Sequence, residues 1–385
     1  GGAAVSDRRP SLLIVSFSEI ANDARVKKQV DLFAERYRVT TCGFGEQVRD
    51  DVEHLRLVDS EATPGHYLEA ALARLHLYGL AYRLHPRARA ARKALRGRRF
   101  DAAVANDLDT LGVAFEAVGP DRTHADLHEF FPGLHDQLPH WVRIRKPFHE
   151  WALRRFAARA GSATTVSDTI AERYAAEFGF ACGVVRNAAP YFELQAQPVG
   201  APIRIVHSGG AQQNRRIEVM MEAVARSTAD ATLDLYLTGA GSPYVRELEE
   251  LAARLGDRVT VHPPVPHAEL VPLLNSYDVG IHVLPRTNTN NALALPNKFF
   301  DYVQARLALV IGPTVDMERL LEKYDLGAVA SGFEVQDVVE ALNGLTPEKV
   351  AAWKRNAAAA APENCAESQQ QVWEAAVAQR IAVPR

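Results

Sequence analysis

The stretch Asn290-Asn291-Ala292-Leu293-Ala294-Leu295-Pro296-Asn297-Lys298-Phe299-Phe300-Asp301-Tyr302, closed by the apolar run Ala308-Leu309-Val310-Ile311, decides the reading of this chain. A proline at the entry to a helix leaves the first backbone N–H groups of that helix without intrahelical acceptors. Lys298 adds a cation at the same end, and Asp301 sets a carboxylate about one turn further on. Phosphate oxygens accept from free amides and from an ammonium, and a carboxylate accepts from two sugar hydroxyls, so the segment suits a diphosphate next to a ribose.

Strand and helix patterns alternate on both sides of that stretch. Ser11 to Ser16 reads as a buried strand, followed by a helix whose Val26, Val30 and Phe33 share one face, and then a strand from Arg38 to Thr41. Ala102 to Ala105, Thr164 to Val166 and Cys182 to Val185 continue the series. Residues 188–201 hold Pro190, Pro198 and Gly200 without periodicity and mark a junction. Beyond it lie strands from Ile203 to Val206, Ala231 to Leu237, Val259 to Val261, Asp278 to Val283 and Ala308 to Ile311, with helices from Ile217 to Ala225 and Tyr244 to Leu255. Strand then helix, repeated, predicts parallel sheets that bind ligands at the carboxyl ends of their strands. The expected fold class is α/β, with two Rossmann-like domains facing across a cleft. Their expected bounds are 1–190 and 191–355, and residues 356–385 are expected to form a C-terminal helix that packs back across both.

Composition narrows the function classes. With 385 residues the chain has room for two domains, and 47% hydrophobic with 24% charged residues describes a globular protein rather than a disordered one. Cys42, Cys182 and Cys365 are far apart and in no metal-ligand spacing, which predicts core cysteines in a reducing cytoplasm and no disulfide framework. No signal peptide or membrane span is expected, and the leading Gly1-Gly2 reads as a cloning remnant. Net charge is only −3, but arginines and lysines crowd from Arg83 to Arg99 and from Arg143 to Arg159. These segments are either solvated helix faces or surfaces for anionic lipid or a phosphorylated acceptor. Nucleic acid is not an expected partner, because no binding motif accompanies the charge. Asp107 and Asp109 after a strand read as a strand-end and helix-cap pair, and no metal requirement or other cofactor is expected. Ser167 and Asn187 read as a helix cap and a turn former. The expected location is the cytoplasm, at the inner membrane face if the basic segments engage lipid.

The second half resembles the family 4 glycosyltransferases, retaining enzymes of the GT-B architecture, over nearly its whole length. Ser208-Gly209-Gly210-Ala211-Gln212-Gln213-Asn214-Arg215 is similar to that family's glycine turn and downstream basic residue, Leu237-Thr238-Gly239-Ala240-Gly241 to its next strand-to-glycine turn, and Leu295 to Tyr302 to its donor loop. In the first half, Asp23-Ala24-Arg25-Val26, Ala105-Asn106-Asp107 and Asp126-Leu127-His128-Glu129 resemble segments of the acceptor domain. The resemblance implies Arg215 and Lys298 at the donor diphosphate, with Gly209, Gly210 and Gly239 permitting close approach and the donor loop of Leu295, Pro296 and Asn297 presenting its helix-end amides to it. It implies Val261 to Val265 at the nucleobase, Asp301 at the ribose, His128 at the donor sugar, and Asp107, Glu129 and Arg25 on the acceptor side. Two positions depart from the pattern: Leu293 replaces the usual first glutamate and Gly210 the usual arginine. A sugar hydroxyl contact is therefore lost or supplied by Asn290 or Asn291.

The implied reaction moves a sugar from a nucleoside diphosphate sugar, a uridine nucleotide being the commonest in the family, to an acceptor that is lipid-linked, peptide or small molecule. Stabilising charge on the departing diphosphate would be the main task of Arg215, Lys298 and the helix-end amides. Two alternatives remain open on the sequence: a nucleotide-sugar epimerase of the same fold, and a catalytically weak nucleotide-sugar-binding subunit. A dinucleotide-dependent dehydrogenase is disfavoured, since no Gly-x-Gly-x-x-Gly follows the first strand.

Overall fold

The computed structural model describes residues 9–58, 64–293 and 295–384; Gly1, Gly2 and Ala294 lie outside them. Two compact units emerge, one of Gly1–Val185, Asn288–Asn290 and Gln370–Arg385, the other of Arg186–Thr287 and Asn291–Gln369.

The first unit carries strands β1 (Ser11–Glu19), β2 (Arg38–Phe44), β3 (Glu53–Arg56), β4 (Ala102–Asn106), β5 (Thr123–Leu127), β6 (Ser162–Thr165) and β7 (Gly183–Val184). They form one parallel sheet in the order β3-β2-β1-β4-β5-β6-β7. Its helices are α1 (Ala24–Ala34), α2 (Pro64–Arg74), α3 (Tyr78–Leu84), α4 (Pro86–Leu95), α5 (Leu111–Val118), α6 (Pro139–Arg155) and α7 (Asp168–Phe178). Asp23 caps α1 by accepting from the N–H groups of Arg25 and Val26, and Ser167 caps α7 as its sequence position predicts. Strand β3 is not anticipated by the sequence reading, because its half-exposed Glu-His-Leu-Arg lacks an apolar run. The segments from Leu55 to Arg99 and from Pro132 to Phe148 hold helices α2, α3, α4 and much of α6.

The second unit holds β8 (Ile203–Gly210), β9 (Ala231–Thr238), β10 (Val259–His262), β11 (Val279–His282), β12 (Ala308–Ile311) and β13 (Gly327–Val329), in the order β10-β9-β8-β11-β12-β13. All neighbouring pairs are parallel. Helices α8 (Glu218–Arg226), α9 (Pro243–Leu255), α10 (His267–Leu274), the single turn α11 (Thr289–Ala292), α12 (Asn297–Gln304), α13 (Val315–Tyr324), α14 (Val335–Asn343), α15 (Pro347–Ala360) and α16 (Ala366–Ile381) follow in the chain. Successive residues of one strand enter opposite cores: Ala308 and Val310 pack in one apolar cluster, Leu309 and Ile311 in the other. A strand buried on both faces reads as a continuous apolar run, which is why this strand was legible. The last turns of α16 belong to the first unit, where Trp373 is buried in the cluster of Leu12, Val26 and Val104.

Each sheet reverses its strand order once, between β1 and β4 and between β8 and β11. Loops leaving the carboxyl ends of the two central strands diverge there and leave a crevice, the usual ligand position in such sheets.

Candidate functional site

At the reversal point of the second sheet lies a cavity of about 400 Å³ lined by Gln212, Asn214, Arg215, His282, Leu284, Pro285, Asn291, Pro296, Asn297, Lys298, Thr314 and Met317. Arg215 arrives on the turn after β8, His282 ends β11, Lys298 lies in the first turn of α12, and Thr314 and Met317 open α13. The lining brings two cations and no Asp or Glu together among the described residues.

Gly209 makes this arrangement possible. Its φ is +139°, and a β-carbon there would collide with Cε and Nζ of Lys298, so the ammonium lies against bare backbone. The guanidinium of Arg215 stands next to Gly210, where a β-carbon would lie 3.7 Å from its nearest nitrogen. Burial and the Arg215 charge push Lys298 down to about 8. His207 is held down to about 3 by burial and by Lys298, and donates from Nδ1 to the Ile281 carbonyl at 2.9 Å. Its ring stacks on His282 with centroids 6.0 Å apart. Burial, reinforced by Lys298, also keeps His282 well below the ordinary range, so both imidazoles are neutral. Two cations with no carboxylate in the described lining, beside the N-terminal ends of α12 and α13, suit an anion.

The first unit builds a separate polar centre around Asp126, which is fully buried. Its carboxylate accepts from Arg25 Nε and Nη2, Gln29 Nε2 and Thr164 Oγ1, each at 2.7 Å. Trp373 covers the guanidinium, whose Cζ lies 4.7 Å from the ring centroid. His128 stands beside this hub, with Nε2 3.3 Å from Asp126 and Nδ1 3.4 Å from Asp107. Burial disfavours its charged form, but the carboxylates of Asp107 and Asp126 outweigh that and raise its pKa. Burial likewise works against the Asp126 carboxylate, yet the charges of Arg25 and His128 hold it well below the usual range. Asp107 has φ 66° and ψ 166°, a region that costs a residue with a side chain of order 1–3 kcal/mol. It follows the end of β4 and accepts from the His128 N–H at 3.0 Å, and its side chain makes no cap bond to the turn Leu108–Thr110.

The structure brings Arg215, Asn291, Pro296, Asn297 and Lys298 into one cavity, with Gly209 and Gly210 against its two cations. Gly239 adopts φ +90° at the end of β9 and is not among the lining residues. Leu295 and Asp301 are buried and do not line the cavity either. His128, Asp107 and Glu129 cluster in the first unit, where Asn290 donates to Glu129 and accepts from the Phe130 N–H. Arg25, expected on the acceptor side, is buried and consumed by Asp126 and the Val185 carbonyl, because a buried carboxylate needs a paired cation. Sequence reasoning missed His282, Thr314 and Met317; the available signals were a histidine closing an apolar strand and a threonine after Gly312-Pro313 at a helix start. Among the described residues no group of three or more His, Cys, Asp or Glu could hold a metal ion, and no helix is long and apolar enough to cross a membrane.

Residues 202–346, which contain the whole cavity, match the family model described as glycosyl transferases group 1. Sucrose-phosphate synthase from Thermosynechococcus elongatus superposes with a TM-score of 0.71 at 12% identity, covering 96% of this chain and 100% of its own. The chain has the GT-B fold, and its residues 202–346 form a glycosyl transferases group 1 domain. Anabaena HepE in complex with UDP is similar to this GT-B chain with a TM-score of 0.68 at 16% identity, covering 95% of this chain and 99% of its own. The α,α-trehalose 6-phosphate synthase from Burkholderia multivorans follows with a TM-score of 0.66 at 12% identity, covering 96% and 98%. At such identities these likenesses establish the fold. No curated protein matches the chain.

Proposed function

We propose that this glycosyltransferase is a retaining, family 4 type enzyme that moves a sugar from a uridine diphosphate sugar to its acceptor. The observation that carries this reading is the Arg215–Lys298 pair set against bare glycine backbone in a cavity without carboxylates. A departing diphosphate gathers negative charge in the transition state, and fixed cations aimed at it lower that barrier more than they tighten ground-state binding. Arg215, Lys298 and the N–H groups of Leu295, Asn297 and Lys298 form the leaving-group clamp, so the reaction requires no metal to meet that charge. His128 attends the transferred sugar, and Asp107 and Glu129 serve the acceptor. A uridine donor draws support from HepE, which has been seen with UDP and with UDP-glucose.

Calorimetric titration of UDP, GDP, ADP and dTDP tests the reading. UDP is expected to bind at micromolar concentration and to lose that affinity in Arg215→Ala. Binding of none, or equal binding by the variant, overturns it.

Contact with an anionic membrane is part of the same proposal, and the surface of the first unit supports it. Tyr67, Leu75, Leu77 and Leu80 on and between α2 and α3 are 75%, 68%, 49% and 47% exposed. Arg83, Arg89, Arg92, Lys93 and Arg96 line a hollow of about 720 Å³ on α3 and α4, with no acidic residue in its described lining. Apolar side chains beside a basic stripe suit a bilayer with anionic headgroups. On this reading the enzyme works at the cytoplasmic face and takes a lipid-linked acceptor.

A further inference from the structure

Two polar atoms in the wall of the cation-lined cavity have no hydrogen-bond partner among the described residues. They are Nδ1 of His282 and Oγ1 of Thr314, both buried. The two side chains belong to residues 5% and 4% exposed, and both line the cavity. Buried polar groups are normally paired, and an unpaired one costs stability that a ligand can return by supplying the partner.

Thr314 shows the same thing from its backbone. It occupies the N-cap of α13 with φ −126° and ψ 136°, where a threonine hydroxyl ordinarily accepts from an N–H of the first turn. Here it makes no such bond. The hydroxyl is left to the cavity, together with the uncapped end of a helix of 10 residues.

The chemistry of the pair differs from that of the cations. Arg215 and Lys298 only donate, which fits phosphate oxygens, which only accept. A neutral imidazole offers one N–H and one lone pair, and a threonine hydroxyl donates and accepts. Groups that do both match a sugar hydroxyl, itself donor and acceptor. With no Asp or Glu in the described lining, the other side-chain acceptors open to a hydroxyl proton are the amide oxygens of Gln212, Asn214, Asn291 and Asn297. Position agrees: β12 lies beyond β11 in the sheet, so Thr314 stands on the far side of His282 from the turn that follows β8 and carries Arg215.

We propose that His282 and Thr314 form a hydroxyl-reading subsite beside the diphosphate clamp, which binds a sugar ring joined to that diphosphate. The inference rests on the nucleotide-sugar reading of the cavity. Two rings of the ligand carry such hydroxyls, the ribose and the transferred sugar, and three probes separate them.

The experiment titrates inorganic pyrophosphate, UDP and UDP-glucose into the wild-type protein, Thr314→Val, Thr314→Ser and His282→Leu. Valine keeps the volume and β-branching of threonine, so Thr314→Val is expected to melt like the wild type; serine keeps the hydroxyl and is expected to bind like it. Pyrophosphate affinity should be unchanged in every variant. A loss of about tenfold for UDP-glucose alone in Thr314→Val and His282→Leu assigns the subsite to the transferred sugar, and a similar loss for UDP as well assigns it to the ribose. Equal affinities for all three probes overturn the subsite and leave the donor reading standing. A loss extending to pyrophosphate also overturns it, since the pair would then be phosphate ligands. A wild-type protein that binds neither UDP nor UDP-glucose sinks the donor reading and this inference together.

Discussion

The ammonium of Lys298 occupies the space in which a side chain at Gly209 would begin, so that a β-carbon there would strike its Cε and Nζ. A lysine from the first turn of α12 and a glycine from the end of β8 thereby make one surface. Neither residue alone defines an anion site; their contact sets a cation against exposed peptide.

Gly209→Ala is expected to weaken UDP binding by at least about tenfold, because the methyl group displaces Lys298 and φ +139° is strained for alanine. Calorimetry and a thermal melt check it together. Wild-type affinity would show that Lys298 does not work from this position.

The proton on Lys298 gives a second test. Its pKa lies at about 8 in the free protein through burial and the Arg215 charge, and a bound diphosphate raises it. Binding near pH 8 should therefore take up a proton, and affinity should fall as pH rises through that value. Titrations in two buffers of different ionisation enthalpy measure the uptake, which should vanish in Lys298→Met.

Arg25→Met leaves the Asp126 carboxylate buried without its principal cation. Breaking a buried pair from one side costs about 3–5 kcal/mol, which denaturant unfolding resolves. The depressed Asp126 pKa has its own sign: its stabilisation is present above the unfolded value and is lost as pH falls through the folded one. In Arg25→Met that acid-side loss should shrink. A variant as stable as the wild type would deny Arg25 its anchoring role.

For His128 the sign is opposite. Its pKa is raised despite burial, because Asp107 and Asp126 favour the imidazolium. The stability it contributes is complete below the unfolded pKa and is lost as pH rises through the folded value. An NMR titration of the ring should place its midpoint above the ordinary histidine value, and Asp107→Asn should move it down. A midpoint unmoved by that change would remove Asp107 from the account.

Vesicle sedimentation addresses the exposed surface of the first unit. Phosphatidylglycerol vesicles should retain the protein and phosphatidylcholine vesicles should not, with salt releasing it. Leu75→Asp with Leu77→Asp, or Arg89→Glu with Lys93→Glu, should abolish retention without changing the melt. Equal retention by both lipids would argue against an electrostatic membrane contact.

Strands buried on both faces, such as Ala308 to Ile311, announce themselves as apolar runs, and β3 does not because its residues are half exposed. Arg215, Asn291, Pro296, Asn297 and Lys298 were readable because each sits next to a local signal, a glycine turn or a proline at a helix start. His282 closes an apolar strand and Thr314 follows Gly312-Pro313 ahead of α13, but these signals mark elements and not a site. The importance of the two residues lies in lacking partners, which is a property of everything around them. Arg25 misled the reading for the same reason, since a basic residue in a loop-to-helix motif does not reveal that Asp126, 101 residues away in the chain, consumes it.

The sequence by itself determined what depends on neighbours in the chain: the strand and helix alternation, the glycine turns, and the cation at the start of α12. Only the tertiary structure decided which polar groups are spent and which are free, since hydrogen-bond partners, burial and electrostatic fields are set by residues distant in sequence. It left Lys298 without a paired carboxylate in the cavity lining, buried Arg25 against Asp126, and turned the Thr314 hydroxyl away from its helix.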